Sequence, residues 1–350
     1  MKESIFRLSL LFVTSWMVPL SALATTPLIT GVTGAVATGQ TLNISGTNMV
    51  NENSTSWFKN DGYTGSVLTQ TYFTGATSSV DGFAGWHVIG DSVTLDRSKK
   101  VLGDHSVKIV ADDDSCVERT SCGGSAIYLS HWVDDSFCAS AYVYIEGTFA
   151  THYHKFFLTV GEVGQYYVQP NPGGPGWLIK DAAEAVYVGN ADWTQSRWHY
   201  WEVCIDTASS SGDKYTIWWD GVKDAEYTFS QHHGVIAHFN ELGIPNWSWL
   251  AGTPPVVPFN MWVNRYVNSS NRIYPASIVE VSGDGATWKQ QEPVFLSDTN
   301  SQVRLDLRGL AGTHYRMRVT NNQQQTSATY FLSGGPATPK PNSPMNLRVQ

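Results

Sequence analysis

The stretch Arg197 to Lys223, RWHYWEVCIDTASSSGDKYTIWWDGVK, most constrains what this chain can fold into. Two alternating, aromatic-rich runs, Trp198–Ile205 and Lys214–Trp219, flank a segment of Asp, Thr, Ala, Ser and Gly, which is the pattern of a hairpin. Asp220-Gly221 follows, a pair suited to a type I′ turn because both central positions need φ > 0. Three successive antiparallel strands are therefore expected. In the first run a period of two sends His199, Trp201, Val203 and Ile205 to one face, and Trp198, Tyr200, Glu202 and Cys204 to the other. The first set is the more apolar and is expected to face a core. The second, aromatic and polar, either meets solvent or lines a groove.

The rest of the composition agrees with an all-β chain. Among 350 residues only 15% are charged, 13% are aromatic and 31 are glycine, a balance typical of exported β-proteins. Lys2 and Arg7 precede an apolar run from Leu8 to Leu20, and Ala22-Leu23-Ala24 offers a small-x-small cleavage site. Residues 1–24 are thus expected to be a signal peptide, giving a secreted, extracellular or periplasmic protein. No other apolar run is long enough to span a bilayer, so no membrane insertion is expected. A formal net charge of −8 leaves no basic footprint for nucleic acid.

The chain has four cysteines, Cys116, Cys122, Cys138 and Cys204. An even count in an exported chain favours disulfides, and three pairings are open. Cys116 and Cys122 bracket a short loop and are expected to close it. Cys138 and Cys204 sit in strand-like runs that they could staple. Zinc is the rival, but there is no C-x-x-C.

Short β-like runs cut by Gly31, Gly34, Gly39 and Gly46 fill the segment before Trp57 and are too few to bury a core alone. There, I-x-G-V-x-G-x-x-x-x-G-Q-x-L-x-I-S-G-T-N resembles the opening of an IPT/TIG domain, an immunoglobulin-like sandwich. Far downstream, L-S-D-T-x-x-x-V, then Y-x-x-x-V-T-N and a final S-A-x-x-F, are similar to that family's closing strands. The resemblance implies an Ig-like domain in two parts, 25–59 and 276–333, with 60–275 inserted in one of its loops; two separate small β-domains are the competing organisation. A Pro-rich tail, 334–350, ends in S-P-x-N-L-R-V, which is similar to the first strand of a fibronectin type III domain.

Within the middle segment, Phe137–Ile145 alternates cleanly. Phe137, Ala139, Ala141, Val143 and Ile145 are expected to face the core, with Cys138, Ser140, Tyr142 and Tyr144 opposite. In Tyr153–Val160, His154, Phe156, Leu158 and Val160 are read as core-facing, with Tyr153, Lys155, Phe157 and Thr159 opposite. If Cys138 pairs with Cys204, one face collects Tyr142, Tyr144, Trp198, Tyr200 and Glu202, and Lys155 is expected to join them. K-F-F-L, then W-x-x-W-E-V-x-I-D-T-x-x-x-x-G-D-x-x-x-x-W-x-D-G, resembles the concanavalin A-like lectin/glucanase jelly roll, a superfamily that includes laminin-G-type modules. That resemblance implies a curved sheet whose concave face binds glycans, and it places the ligand on Tyr142, Tyr144, Lys155, Trp198, Tyr200 and Glu202. The fold expected is all-β: a jelly-roll sandwich plus a smaller Ig-like sandwich. The loops Gln165–Trp177 and Pro245–Phe259 are read as Pro/Gly/Trp-rich binding elements or as anchors that bury Trp177, Trp247 and Trp249.

Catalytic signals are thin. The related glucanases carry E-x-D-x-x-E on one strand, which is absent here, and Glu202 stands without a second carboxylate. Gly164 to Gln169 echoes only the end of a lyase strand motif. His152 and His154 form an H-x-H, and His232-His233 a second cluster, each read as structural. Asp112-Asp113-Asp114 lacks the D-x-D-x-D-G spacing of a Ca²⁺ loop and reads as a solvated turn, so no cofactor is expected. The expected function is non-catalytic carbohydrate binding or surface adhesion, with polysaccharide or a surface glycan as partner. The alternatives are a divergent polysaccharide lyase or glycoside hydrolase, and a structural extracellular or fibre component.

Overall fold

The computed structural model describes residues 26–50, 69–71, 87–89, 93–111, 125–130, 136–147, 157–160, 165–171, 174–181, 184–207, 211–230, 239–244, 259–269 and 271–332. Among them the chain is all-β, in four antiparallel sheets that form a large and a small sandwich.

One layer of the large sandwich has eight strands. In spatial order seven of them are Val222–Thr228, Lys214–Trp219, Trp198–Asp206, Ser136–Gly147, Phe259–Ser269, Ser106–Ala111 and Val93–Asp96, and the eighth, Thr69–Thr71, also pairs with Phe259–Ser269. The facing layer has seven: Glu184–Val188, Trp177–Asp181, Gln165–Pro170, Phe157–Val160, Phe239–Ile244, Ser125–Ser130 and His87–Ile89.

The expected three-strand run around Arg197–Lys223 is present. Asp220 and Gly221 have φ of 50° and 83°, as a type I′ turn requires. Trp201, Val203 and Ile205 point into the core with Ala139, Ala141, Val143 and Ile145 from the neighbouring strand. Register places Trp201 opposite Ala141, and the small alanine leaves room for the indole, which packs on Phe157 with ring centroids 5.1 Å apart. Trp177, Trp193 and Trp219 close the same core near one end, with centroid separations of 4.5–5.4 Å.

Three expectations are corrected. Phe157 faces the core and is fully buried, opposite to the phase read from the sequence; Phe156-Phe157 puts an aromatic on both parities, so alternation there does not fix the phase. Phe157–Val160 also belongs to the seven-stranded sheet, not to the sheet holding Tyr142 and Trp198. Gln165–Pro170 is a strand rather than a loop, and Trp177 opens the next strand, fully buried.

The small sandwich draws on both ends of the chain. Leu28–Thr33, Thr41–Thr47, Asn300–Arg304 and Glu292–Phe295 make one sheet; Lys289–Gln290, Ser277–Ser282, Arg316–Asn321 and Tyr330–Phe331 make the other. Leu42 lies opposite Val303 and Ile44 opposite Ser301 across the Thr41–Thr47 and Asn300–Arg304 pair. Their shared core includes Leu42, Ile44, Val279, Val281, Met317 and Val319.

Cys138 and Cys204 are directly opposed in register and form a disulfide. Cys116 and Cys122 lie outside the described residues. So do Lys155, His152, His154, His232, His233, Trp247, Trp249 and the 112–114 acidic run.

Candidate functional site

The sequence nominates the outer face of the eight-stranded sheet, and most of those residues do come together there. Tyr142 and Tyr200 meet edge to face at 5.3 Å, and Tyr144 and Trp198 at 5.5 Å. This face is not an open groove. Tyr142, Trp198, Tyr200 and Trp262 form one cluster with Val50, Val101, Leu102, Ala276 and Leu296, residues from the small sandwich and the strand-connecting segment near 101. Tyr142, Tyr200 and Glu202 are each at most 2% exposed. The backbone N–H of Ala276 donates to the Tyr142 hydroxyl at 3.1 Å. The remaining cavity, lined by Tyr142, Tyr200, Pro275, Gln291 and Leu296, is about 10 Å³. That is room for one water, against the ~300–1,000 Å³ of a ligand pocket. Among the described residues nominated for this face, Tyr144 is the one only partly buried; beside it Lys99 lies 4.4 Å above the Trp262 ring and pairs with Glu146 at 2.9 Å.

Glu202 sits at the end of this covered face. Ile273 N–H donates to its Oε1 at 2.7 Å, Tyr200 O–H to its Oε2 at 3.1 Å, and the Arg272 Nε stands 3.7 Å from Oε2. Burial pushes its carboxyl up from the usual glutamate range, with the Ile273 N–H and Arg272 holding it back. The Tyr200 hydroxyl is pushed up by burial and by the neighbouring Glu202 charge. Cys138, Glu202 and Cys204 have ligand-type atoms within 4.8 Å of one another. The sulfurs are spent in the disulfide, and a thiolate, not a disulfide, ligates a metal. The cluster therefore does not fit a metal site in this oxidised state.

The opposite outer face, on the seven-stranded sheet, is the one sequence reasoning missed. Val168, Trp177 and Ile179 point into the core, so alternation turns Tyr167, Gln169, Leu178, Lys180, Ala185 and Tyr187 outward. Consecutive register partners run Ala185, Lys180, Tyr167, Leu158, Glu241, Tyr128 and His87, one from each of the seven strands. At ~4.8 Å per strand spacing the row is roughly 29 Å long. The Lys180 ammonium lies 5.7 Å from the Tyr167 ring centre, and Tyr187 is 57% exposed. Gln169 is 1% exposed, and its Nε2 has no hydrogen-bond partner among the described residues. The signal in the sequence was the alternation of Tyr167 and Gln169 about Val168, masked by the Pro- and Gly-rich stretch that follows.

The same strand that turns Lys180 outward turns Asp181 inward, where it is 1% exposed. Burial first, then the nearby Asp213 and Glu184 charges, push its carboxyl up to about 7. Among the described residues no helix is long and apolar enough to cross a membrane.

No protein-family profile matches the chain, and no curated protein is similar to it in sequence. Solved structures do show similarity. The cellulose induced protein Cip1 superposes with a TM-score of 0.47 at 10% identity, covering 59% of this chain and 99% of that one. An endo-β-1,4-glucuronan lyase from the fungus Trichoderma reesei gives 0.42 at 12% identity, covering 59% and 96%. A sialidase gives 0.41 at 11% identity; the chain covers only 18% of its length, with 58% of this chain matched. Likeness this distant leaves the function to be argued from the site itself.

Proposed function

We propose that this is an exported carbohydrate-binding or surface-adhesion protein that binds a polysaccharide without cleaving it, along the outer face of the seven-stranded sheet. The observation that carries this reading is the register row from Lys180 through Tyr167 to His87. It carries Lys180, Tyr167, Glu241, Tyr128 and His87, aromatic or hydrogen-bonding residue types interrupted by Leu158, over a length suited to an extended polymer. Tyrosine rings offer apolar faces to sugar C–H groups, and the buried amide of Gln169 has a donor to spare. The aromatic face of the eight-stranded sheet, with Tyr142, Trp198 and Tyr200, serves instead to seat the small sandwich. That sandwich we read as one discontinuous domain, 25–59 with 276–333, on the strength of the Thr41–Thr47 and Asn300–Arg304 pairing. Export through residues 1–24 is consistent with the Cys138–Cys204 disulfide.

Binding is tested by native electrophoresis of the folded protein through gels containing neutral and acidic polysaccharides in turn. Retardation by at least one polymer is expected; free migration in every gel contradicts the reading. A second reading, a divergent polysaccharide lyase or hydrolase, is favoured by the acid–base residue types His87, Tyr128 and Glu241 in consecutive register positions. It requires shortened chains from one polymer of the panel, seen as new reducing ends. An unchanged chain length after prolonged incubation with a polymer that is bound rejects it.

A further inference from the structure

A third cluster lies at the edge of the covered face, where the eight-stranded sheet meets the segment leading to the small sandwich. Trp218 stands opposite Glu202 in register. The Arg272 guanidinium lies over both the Trp218 and the Tyr274 rings, its Cζ 4.3 Å from each ring centre. Its Nε faces Glu202 at 3.7 Å and one Nη2 hydrogen goes to the Gly221 carbonyl at 3.3 Å. Nη1 and the second Nη2 hydrogen make no hydrogen bond among the described residues, and the side chain is 32% exposed.

This arrangement is held rigidly. Tyr274 has φ of 66°, an outlier for a bulky residue that persists only where its surroundings over-determine it. Arg265, 2% exposed and itself at φ 52°, donates from Nη1 to the Tyr274 carbonyl at 3.2 Å. Glu202 fixes the next residue back through the Ile273 N–H. Two non-glycine residues in the left-handed region and a buried carboxylate thus hold one ring over one guanidinium.

With two aromatic rings packed on the guanidinium, its edge is the part left for a ligand. That edge presents two parallel N–H groups, the fork that matches a carboxylate in its own plane. The flanking Trp218 and Tyr274 rims are apolar and suited to the C–H surface of a sugar ring. We propose that Trp218, Arg272 and Tyr274 form a second saccharide subsite, which takes the carboxylate of a uronic acid residue in an acidic polysaccharide. It lies on the other sheet from the proposed polymer row and does not depend on it.

The test titrates the folded protein, followed by NMR, with trigalacturonate, with its fully methyl-esterified form and with poly-glutamate. Trigalacturonate is expected to shift the Trp218 indole N–H, assigned with Trp218→Phe, and the backbone signals of Gly221 and Tyr274. The ester is expected to bind at least 10-fold more weakly, and Arg272→Lys to lose at least 10-fold in affinity. Arg304→Gln, which removes a surface cation elsewhere, should change nothing. If Arg272→Lys does not fold, the acid–ester comparison and the location of the shifts on the wild-type protein decide. Equal binding of acid and ester, shifts confined to the seven-stranded sheet, or no shift at millimolar ligand each overturn the proposal. Poly-glutamate binding as tightly as trigalacturonate overturns the sugar in favour of an acidic peptide.

Discussion

The two outer faces of the large sandwich carry similar residue types and differ in how far they are covered. On the eight-stranded sheet, Tyr142, Trp198 and Tyr200 sit beneath Ala276 and Leu296 and are sealed from water. On the seven-stranded sheet, Tyr187 is 57% exposed and Lys180 and Tyr167 are partly exposed, while Gln169 and Leu178 of the same face are buried. Aromatic rings in alternation mark a surface with something to cover, and another part of the same chain covers it as well as a ligand does. What separates the two is the chain's own return at residues 276 and 296, which the local pattern around Trp198 does not contain.

The largest effect expected from breaking this contrast is on the covered face. Tyr200→Ala empties a fully buried site and should lower stability by ~3–5 kcal/mol, read as a shift in the urea unfolding midpoint. The inward partner of the open face comes next. Burial and the nearby acidic charges raise the Asp181 carboxyl from the ordinary aspartate value of 3.8 to about 7, so its contribution to stability is fully present below pH 4 and is lost as pH rises through 7. Asp181→Asn should therefore stabilise the protein above pH 7 by up to ~4 kcal/mol, at 1.36 kcal/mol per unit, and flatten the dependence between pH 4 and 7. An unaltered pH–stability curve would remove Asp181 from that role. Replacing the disulfide with Cys138→Ala and Cys204→Ala frees two residues that it ties together across a sequence separation of 66, and about 2–4 kcal/mol should be lost, again from urea unfolding. The smallest stability effect belongs to the open face: Tyr187→Ala should stay within ~0.5 kcal/mol of wild type in a thermal scan. A cost comparable to that of Tyr200→Ala would mean the two faces do the same structural work.

Much of the fold was legible because it is written locally. The Trp198–Ile205 alternation and the Asp220-Gly221 turn follow from period two and turn chemistry, whereas the Cys138–Cys204 pairing stayed one of three open choices until the strand register placed the two opposite each other. Phe157 was misread because Phe156 offers the same apolarity one residue away. The candidate site was less legible for a different reason. Whether a face is open depends on contacts between residues far apart in sequence, such as Tyr142 with Ala276. Trp218, Arg272 and Tyr274 likewise meet only because the 272–274 segment folds back along the sheet edge. The row from Lys180 to His87 needs the order of seven strands, and no single segment records that order.

The contrast between the faces is tested most directly by the double variant Tyr167→Ala, Lys180→Ala, compared with wild type by native electrophoresis through a gel of a polymer that retards the wild type. Loss of retardation with an unchanged thermal midpoint is the expected result. Retardation equal to wild type would contradict it and put the binding surface elsewhere on the molecule.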